Sequence, residues 1–495
     1  MKDIYLPKKI KAAVFAAALI AMVPFMVITC GFEGADAAAV GIAFGLIYAV
    51  AAAILILSRS TDRISSFLFA LFALSALVYI RVMLLYYRSG DYNNFLVHWV
   101  GDMRGMSAAE AMRTPIGDYN MPYMYLLLFI SRMPCDDIIL IKAFSCLFDV
   151  LLAWAVMLTV GHLTGSKTKS LISFFALLAL PTVTLNGAMW GQCDAIYAFF
   201  CVLTFYLLLK KRGSLAMLAL SAAFSVKLQT VFIFPAVICC LFTKRLRFRD
   251  LVWFPAGFAA ASLPALIAGR SFADTFMIYI NQTQNYASLD MNCPTVFRFV
   301  YNVEFDNFNA VGIMLGGLAA LTVVYAGWRL RRRTDGITML KLFCLSAISV
   351  VYFLPRMHER YYFLADVFTL MLVFAEFKLW YVPAATVLSS FAAYAYYLFG
   401  GVTLIDYRWL SLGLLAVQGA LLYNLCRTDG GAESRRVRAG TEHLIGAGDE
   451  SDACAENGAD AESSADTETG ACAENGACAE NGADAKAESR ASFKN

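Results

Sequence analysis

The chain has 495 residues, of which 60% are hydrophobic and 16% are charged, and its formal net charge at pH 7 is +3. Soluble globular domains are about half apolar and about a quarter charged, so the composition excludes an ordinary soluble protein and predicts a polytopic membrane protein. The weak net charge gives no indication of nucleic-acid binding. The 13 Cys residues are scattered, without metal-ligand or disulfide-framework spacing, and we expect no metal ion and no cofactor.

A transmembrane helix needs about 20 predominantly apolar residues, and the apolar runs of the chain predict about fourteen such helices in an all-α fold. In chain order they are Ala12–Cys30, Ala37–Leu57, Ser66–Tyr86, Ile138–Val160, Leu171–Leu185, Ala195–Leu209, Ser214–Val226, Thr230–Phe242, Leu251–Ala268, Asn309–Trp328, Met339–Leu354, Tyr362–Phe377, Val382–Gly400 and Leu410–Leu425. The seventh and eighth are short, and an alternative is one bent or re-entrant pair around Lys227. The first resembles a signal peptide, but because so many spans follow it we interpret it as an uncleaved anchor.

The loops between the spans alternate in character along the chain. One set is rich in Lys and Arg and consists of Lys8 to Lys11, Arg59 with Arg63, Lys167 with Lys169, Lys210 to Arg212, Lys244 to Arg249, and Arg331 to Arg333. The positive-inside rule predicts that these loops are cytoplasmic. An even number of spans then puts both termini in the cytoplasm, as in a multi-pass protein of the cell membrane.

The other loops face outward, and two of them are long, from Tyr87 to about Asp137 and from Gly269 to about Phe308. Met121–Met133, within the first, is an apolar run of about 13 residues, which is too short to span a bilayer and predicts a helix at the membrane interface or dipping into it. Long loops in compact proteins are usually functional or disordered, and the aromatic content of these two favours function.

The character of the sequence changes after Arg427, which divides the chain into a transmembrane domain, residues 1–426, and a tail, residues 427–495. The tail repeats the unit Cys-Ala-Glu-Asn-Gly-Ala and is acidic from Asp449 onward. Such a segment has too little apolar area to offset its chain entropy, so we expect it to be disordered, cytoplasmic and without a catalytic role.

Polar residues suited to chemistry collect on the predicted outward side. Asp91 follows the third span, and helical spacing puts Phe95 and His98 on its face with Trp99 beside them. A carboxylate at a membrane–water boundary, flanked by aromatic residues, is suited to act as a general base for a sugar hydroxyl. The alternative is a solvated aspartate beside an interfacial aromatic belt.

Two further outward segments combine acids, amides and aromatic residues. Asp118 and Tyr119 end the first long loop, where the alternative for Asp118 is to cap the helix that follows. Trp190, Gln192 and Asp194 lie beside glycines that permit close approach of a ligand to the backbone, although Asp194 would serve equally as a helix cap.

Cations are present on the same side. Lys227 and Gln229 interrupt apolar sequence where the positive-inside rule disfavours a lysine, and an anionic phosphate is a natural partner for Lys227. The alternative is a lysine that extends to the interface. Arg356, His358, Glu359 and Arg360 form a dense charged segment, in which the arginines offer bidentate forks to phosphate oxygens unless Glu359 simply holds one of them.

These segments resemble those of the polytopic GT-C glycosyltransferases that use lipid-phosphate sugars, and they are most similar to the bacterial relatives of the second mannosyltransferase of glycosylphosphatidylinositol assembly. The similar pieces occur in the family's order between about Arg81 and Asp366: Gly90 to Trp99, Gly117 to Tyr123, Trp190 to Asp194, Lys227 to Gln229, and Met357 to Tyr361.

The resemblance implies a GT-C-like helical fold with a catalytic first outward loop. It implies transfer of a hexose, mannose or glucose, from a polyprenyl-phosphate sugar to an extracytoplasmic glycan or glycolipid acceptor with inversion, as in the assembly of a cell-envelope glycan. By motif match Asp91 is the general base, and Asp118 with Trp190 to Asp194 shapes the sugar or acceptor pocket. The candidates to meet the departing lipid phosphate are Lys227, Arg356, His358 and Arg360. The first loop lacks the Asp-x-Asp pair of some branches, so we expect no metal requirement.

Two other classes of function are alternatives. A multi-pass transporter or flippase of a lipid-linked sugar would carry its charges near the midplane of paired repeats, whereas here they gather on one side and the spans show no internal repeat. A non-catalytic membrane scaffold accounts for the tail but not for the outward motifs. We therefore interpret the chain as a membrane hexosyltransferase whose partners are the bilayer, a lipid-linked donor and an acceptor.

Overall fold

The computed structural model describes residues 4–282, 288–300 and 305–427 of the chain. They form an all-α polytopic membrane protein, which confirms the fold class predicted from the sequence. The predicted disordered tail, from position 428 onward, lies outside the described residues.

The N-terminal part contains three long helices followed by short ones. They are α1 (Lys8–Thr29), α2 (Gly34–Leu57) and α3 (Ile64–Met83), then a π turn (Tyr92–Leu96), α4 (Val97–Arg104), α5 (Ala108–Arg113) and α6 (Met121–Ile130). The predicted interfacial helix corresponds to α6, which has 10 residues and is too short to span a bilayer.

The central part begins with the longest helix, α7 (Asp137–Thr164). It continues with α8 (Lys167–Leu178), α9 (Pro181–Thr184), a second π turn (Leu185–Trp190), α10 (Asp194–Leu209), α11 (Gly213–Val226), a 3₁₀ turn (Leu228–Ile233), α12 (Phe234–Phe242), a 3₁₀ turn (Phe248–Val252), α13 (Trp253–Ile267), α14 (Phe272–Phe276) and α15 (Ile278–Gln282).

The C-terminal part consists of β1 (Asp290–Met291), a 3₁₀ turn (Val296–Phe299), α16 (Phe305–Leu330), α17 (Gly336–Phe353), β2 (Met357–His358), α18 (Phe363–Ala375), a 3₁₀ turn (Phe377–Leu379), α19 (Tyr381–Leu398) and α20 (Tyr407–Arg427). The two-residue strands β1 and β2 pair in parallel, with Asp290 opposite Met357 and Met291 opposite His358.

Eight helices of the described residues are long and apolar enough to cross a membrane, or nine if the bent pair formed by α8 and the segment Pro181–Trp190 is one span. Helical segments overlap all fourteen predicted spans, but several are short: α10 has 16 residues and α11 has 14. At about 1.5 Å per residue such helices are shorter than the roughly 30 Å hydrocarbon core. The sequence therefore predicted the positions of the helices better than the number that can span alone.

The core is formed by α7, α10, α17 and α18, whose side chains are mostly buried, whereas α1, α13 and α16 are more exposed. Arg81 of α3 joins three helices through this core. Its Nε donates to Asp149 Oδ2 of α7 at 3.0 Å, and its NH2 group donates to the carbonyl of Leu178 in α8 at 2.9 Å. The helix that leads to Asp91 is therefore fixed to the centre of the fold.

Lys142 of α7 stabilises the chain segment between α3 and Asp91. Its ammonium group donates to the carbonyls of Leu84 at 3.0 Å and Leu85 at 2.8 Å, and also to that of Tyr87. The last carbonyls of a helix have no partner within the helix, so a buried lysine at this place satisfies acceptors that would otherwise be unpaired.

Candidate active site

Segments that are far apart in the sequence meet around one cavity of about 670 Å³. The sequence-predicted residues that line it are Asp91, Asp118, Tyr119, Gln192, Lys227, Gln229, Arg356, His358, Glu359 and Arg360. Trp190 and Asp194 lie behind this lining and contact Asp91 and Lys227, respectively. His98 is exposed and does not line the cavity.

The π turn at Tyr92–Leu96 accounts for the position of His98. A π turn has more residues per turn than an α-helix, so it shifts the face on which all later residues lie. The cavity lining includes Asp91, Phe95 and Trp99, but not His98, which α-helical spacing predicted on the same face. The aromatic wall beside Asp91 is therefore present, and the imidazole points elsewhere.

Asp91 is held by four side chains from three other segments. Its Oδ2 accepts hydrogen bonds from Trp190 Nε1 at 3.1 Å and Gln192 Nε2 at 2.6 Å, and it lies 3.3 Å from the NH1 group of Arg360. Its Oδ1 accepts from the hydroxyl of Tyr397 at 2.7 Å. The carboxylate side chain is 20% exposed, so it is held firmly and still reaches the cavity.

The surroundings of Asp91 favour its charged form. Burial acts to raise the pKa of Asp91, but the positive charge of Arg360 and the hydrogen bonds from Tyr397 and Trp190 outweigh it and hold the pKa below its usual value. At neutral pH the cavity therefore contains an ionised carboxylate, which is the form that can accept a proton.

Lys227 lies where the helical backbone is interrupted between α11 and the following 3₁₀ turn, in an extended conformation with φ −151° and ψ 135°. Its ammonium group forms an ion pair with Asp194 Oδ1, and Asn186 Nδ2 donates to Asp194 Oδ2 at 2.7 Å. The same ammonium group is 5.7 Å from the centre of the Tyr119 ring. Lys227 is 3% exposed, so it is a buried, paired cation on the cavity wall rather than a lysine extended into solvent.

Arg360 is the second cation on this wall, and its side chain is 14% exposed. Its guanidinium carbon is 5.5 Å from the centre of the Trp190 ring, and its NH1 group is 4.0 Å from Glu359 Oε1. Within the described part of the chain its Nε has no hydrogen-bond partner. A guanidinium on the lining of a cavity is suited to bind an anionic oxygen of a ligand.

The short parallel pairing of β1 with β2 presents the charged segment to the cavity. The backbone N–H of Arg356 donates to the carbonyl of Leu289 at 3.1 Å. Arg356 and Asn292, on either side of the pairing, have φ values of +65° and +59°. Left-handed backbone is uncommon for residues with a side chain, and such strain is concentrated at functional sites.

His358 and Glu359 differ from ordinary surface residues in their protonation. Burial, with the charge of Arg360, lowers the pKa of His358 to about 3, so the imidazole is neutral at pH 7. Burial raises the pKa of Glu359 to about 7. Nδ1 of His358 is 3.8 Å from Glu359 Oε2. His358 therefore contributes a neutral polar surface rather than a positive charge.

Helix capping does not explain the two other acidic residues. Asn120, not Asp118, caps α6, because its side chain accepts from the backbone N–H of Met121 at 2.7 Å. The first residue of α10 is Asp194, but no side chain makes a capping hydrogen bond at that helix end. Burial raises the pKa of Asp118, and its Oδ1 has no hydrogen-bond partner among the described residues. Both capping alternatives are therefore wrong.

Two amides complete the polar wall near Asp118. The Tyr119 hydroxyl donates to Gln192 Oε1 at 3.5 Å, and the other end of the same amide contacts Asp91. Gln229 also lines the cavity, and its Oε1 lacks a hydrogen-bond partner within the described ranges. Amide side chains on the lining of a cavity are suited to bind the hydroxyl groups of a sugar.

Several lining residues were not predicted from the sequence: Tyr397, Gln282, Asn292 and Asn309. Tyr397 is the most important of them because it contacts Asp91. It lies 306 positions away in an aromatic-rich helix, where a tyrosine is ordinary and gives no sequence signal. The left-handed backbone at Asn292 has a weak signal, since asparagine adopts that conformation more readily than most residues.

Part of the cavity lining is apolar, and we call this part the apolar wall. It includes Val231 and Phe232 near α12, Leu354 after α17, and Ile313 on α16. Ile313 is also among the exposed apolar residues of α16, which include Met314 and Leu318. The apolar wall therefore continues onto the outer surface of a helix that is long and apolar enough to cross a membrane.

The fold and the cavity together define a polytopic membrane protein with an internal cavity that is lined by ionisable, amide and apolar side chains. Among the described residues, no group of three or more His, Cys, Asp or Glu side chains is arranged to hold a metal ion.

Residues 119–355 match the family model of Glycosyltransferase family 87. This match supports a membrane glycosyltransferase, the general function predicted from the sequence. The matched range contains Trp190 to Asp194 and Lys227 to Gln229, but neither Asp91 nor Arg356 to Arg360. A search of curated proteins found no match.

Proposed function

We propose that the protein transfers a hexose, mannose or glucose, from a polyprenyl-phosphate sugar to a glycan or glycolipid acceptor, with inversion at the anomeric carbon. The observation that carries this proposal is the composition of the cavity, in which an ionised carboxylate, Asp91, and the cations Lys227 and Arg360 share one space with an apolar wall. The motif resemblance to lipid-phosphate mannosyltransferases supports the choice of donor and sugar.

Asp91 is proposed as the general base. It is ionised at neutral pH, and of its two oxygens Oδ2 already has three donors in contact, whereas among the described residues Oδ1 accepts from Tyr397 alone. A carboxylate oxygen accommodates about two hydrogen bonds, so Oδ1 is the oxygen with capacity for the acceptor hydroxyl. The acceptor O–H proton passes to Asp91 as the hydroxyl oxygen attacks the anomeric carbon.

The leaving phosphate is proposed to bind the cationic wall formed by Lys227, Arg356 and Arg360. Breaking the bond between sugar and phosphate leaves the electron pair on a phosphate oxygen, and preorganised cations stabilise that charge as it develops. The low exposure of Lys227 (3%) and Arg360 (14%) strengthens this effect, because charges interact more strongly away from bulk water.

The apolar wall is proposed to bind the first isoprene units of the donor. Ile313, Leu354 and Phe232 extend from the cavity toward the exposed apolar side of α16. A polyprenyl chain can then remain in the bilayer while its phosphate reaches the cationic wall. A water-soluble nucleotide sugar would have no use for such a wall.

The site is proposed to face outward from a cell membrane, with both termini in the cytoplasm. The segregation of the Lys- and Arg-rich loops from the motif residues supports this arrangement. The convergence of all the outward motif segments around one cavity is in accord with it.

Cysteine labelling tests the sidedness at exposed positions. All three positions used are exposed. In a cysteine-free protein, His98→Cys should react with a membrane-impermeant maleimide added to intact cells, because position 98 is predicted to lie outside. Lys211→Cys and Arg332→Cys should react only after permeabilisation, because both are predicted to lie inside. Labelling of position 211 in intact cells would contradict the proposed topology.

Reconstitution tests the activity itself. The purified protein in liposomes should convert a polyprenyl-phosphate mannose or glucose and an acceptor glycan into a glycoside and polyprenyl phosphate. The anomeric configuration of the product, determined by NMR, should be the inverse of that in the donor. Movement of the intact donor across the bilayer without cleavage would instead establish the transporter alternative.

A further inference from the structure

The hydroxyl of Tyr397 contacts the oxygen of Asp91 that has capacity for a proton. It donates to Oδ1 at 2.7 Å, whereas Trp190 and Gln192 both donate to Oδ2. Within the described residues Tyr397 is the only hydrogen-bond donor to Oδ1. This contact, together with the three contacts to Oδ2, therefore fixes how Oδ1 is presented to the cavity.

The ring of Tyr397 is held in place by other contacts. It stacks on the buried Trp190 with the ring centres 4.3 Å apart and an interplanar angle of 13°. It lies in the last turn of α19, where the hydroxyl of Tyr87 donates to the carbonyl of Leu398 at 2.8 Å. Trp190 itself donates to Asp91, so the three side chains form a closed triangle with little freedom.

Gly90 provides the space for this hydroxyl. A Cβ atom at position 90 would lie 2.9 Å from the Tyr397 hydroxyl oxygen, which is closer than real Cβ contacts, and 3.7 Å from the adjacent ring carbon, which is ordinary contact. Gly90 is not among the glycines with positive φ, so its backbone conformation does not require glycine. The close approach of the hydroxyl is therefore the feature that requires glycine next to Asp91.

We propose that Tyr397 is a positioning residue for the general base. The absence of a side chain at Gly90 provides the space in which the Tyr397 hydroxyl reaches Asp91. This inference rests on the proposed role of Asp91. The Tyr397 hydrogen bond occupies one lone pair of Oδ1 and, with the contacts to Oδ2, fixes the rotation of the carboxylate, so that the remaining lone pair of Oδ1 is left for the acceptor hydroxyl. In the transfer step the acceptor O–H bond breaks, its proton goes to Oδ1, its oxygen bonds to the anomeric carbon, and the phosphate leaves with the electron pair.

Tyr397→Phe tests the proposal because it keeps the stacked ring and removes only the donor. A hydrogen bond to a charged group is typically worth about ten- to hundred-fold, so kcat should fall by that factor with little change in the donor KM. The acid limb of the kcat/KM profile should move to higher pH, because loss of the donor raises the pKa of Asp91. A purely structural role for Tyr397 would not move that limb.

The other charged or titratable groups that face Asp91 are unchanged in this variant: Arg360, Lys227, Asp118, His358 and Glu359. Tyr396→Phe is the matched control. Tyr396 is the preceding residue of the same helix and does not line the cavity that contains Asp91. The Tyr396→Phe variant should therefore have wild-type kinetics.

A double-mutant cycle with Gly90→Ala makes the test independent of any loss of stability. In the wild-type background the methyl group added by Gly90→Ala displaces the Tyr397 hydroxyl, and kcat should fall about as much as in Tyr397→Phe. In the Tyr397→Phe background the nearest ring atom is 3.7 Å from the new Cβ, so Gly90→Ala should have almost no further effect.

The outcomes separate the two proposals. If Tyr397→Phe keeps wild-type kcat and an unmoved acid limb while Asp91→Asn is inactive, the positioning role is wrong and Asp91 remains the base. Equal losses from Gly90→Ala in both backgrounds would overturn the clearance role of Gly90. If Asp91→Asn is itself fully active, the proposed function of Asp91 fails, and the positioning role of Tyr397 fails with it.

Discussion

Asp91→Asn should lower kcat by about 10²–10⁴-fold, the usual contribution of a general base. Asparagine has the size of aspartate and can still accept hydrogen bonds on its amide oxygen, but it cannot take the proton of the acceptor hydroxyl. The donor KM should change little, because the phosphate is assigned to Lys227 and the arginines. Steady-state kinetics in liposomes, with donor and acceptor varied separately, distinguish these two effects.

The matched control is Asp118→Asn, which changes the next carboxylate of the same loop. Asp118 lines the same cavity, but its pKa is raised. Within the described residues it forms no ion pair of the kind that joins Asp91 to Arg360. It should lose much less of its kcat. If Asp118→Asn is inactive while Asp91→Asn turns over normally, the two roles must be exchanged, and if both are active the proposed mechanism is wrong.

The pH profile of the wild-type protein follows from the same contacts. Since the pKa of Asp91 is held below its usual value, the base stays ionised until the pH falls below the ordinary range for a carboxylate. The acid limb of kcat/KM should therefore lie below about pH 4, the unperturbed value for aspartate. A limb near pH 7 would instead point to Glu359, whose pKa is raised to about 7 by burial.

Lys227→Met should have the second large effect, on both stability and donor binding. Removing one partner of a buried ion pair leaves the other charge unpaired, which typically costs about 3–5 kcal/mol, and here Asp194 would be left buried behind the cavity. The donor KM should rise, because one of the cations proposed to bind the phosphate is lost. Thermal unfolding in detergent and donor kinetics measure the two effects separately.

Two controls separate stability from donor binding. Lys227→Met combined with Asp194→Asn removes both charges, so it should recover much of the melting temperature but not the donor KM. Lys341→Met breaks another ion pair, that of the buried Lys341 with the partly exposed Glu376 at 2.6 Å, and Lys341 does not line the cavity. It should lower stability without affecting the donor KM. Recovery of the donor KM in the double variant would show that Lys227 acts only through the fold.

The sequence predicted the helical class and the positions of the helices because long apolar runs have few other solutions in a bilayer. It recognised the seventh and eighth spans as short, but it gave no sign that α10 is also too short to span alone. The ends of α10 and α11 depend on how neighbouring helices cover them, and that is a property of the packed structure rather than of local composition. The break at Lys227, in contrast, was visible as a polar interruption between two short apolar runs.

The candidate site was partly predictable. The motif residues around Asp91, Lys227 and Arg360 were found because polar residues in apolar sequence are costly unless they are used. His98 was assigned to the cavity face by α-helical spacing, and the π turn that shifts this face has no clear sequence signature. Tyr397 was missed because it lies 306 positions from Asp91 in the sequence, so their contact depends entirely on tertiary packing.

The pairing of Arg360 with Asp91 has a consequence for the charge inside the cavity. In the proposed reaction the donor is a phosphodiester with one negative charge, and the polyprenyl phosphate that leaves carries up to two. Asp91 becomes neutral as it takes the acceptor proton, so the phosphate gains the charge that Asp91 loses. Transfer therefore moves one negative charge from Asp91, beside Arg360, to the leaving phosphate. The total charge within the cavity stays constant. No counter-ion has to enter or leave until the products dissociate.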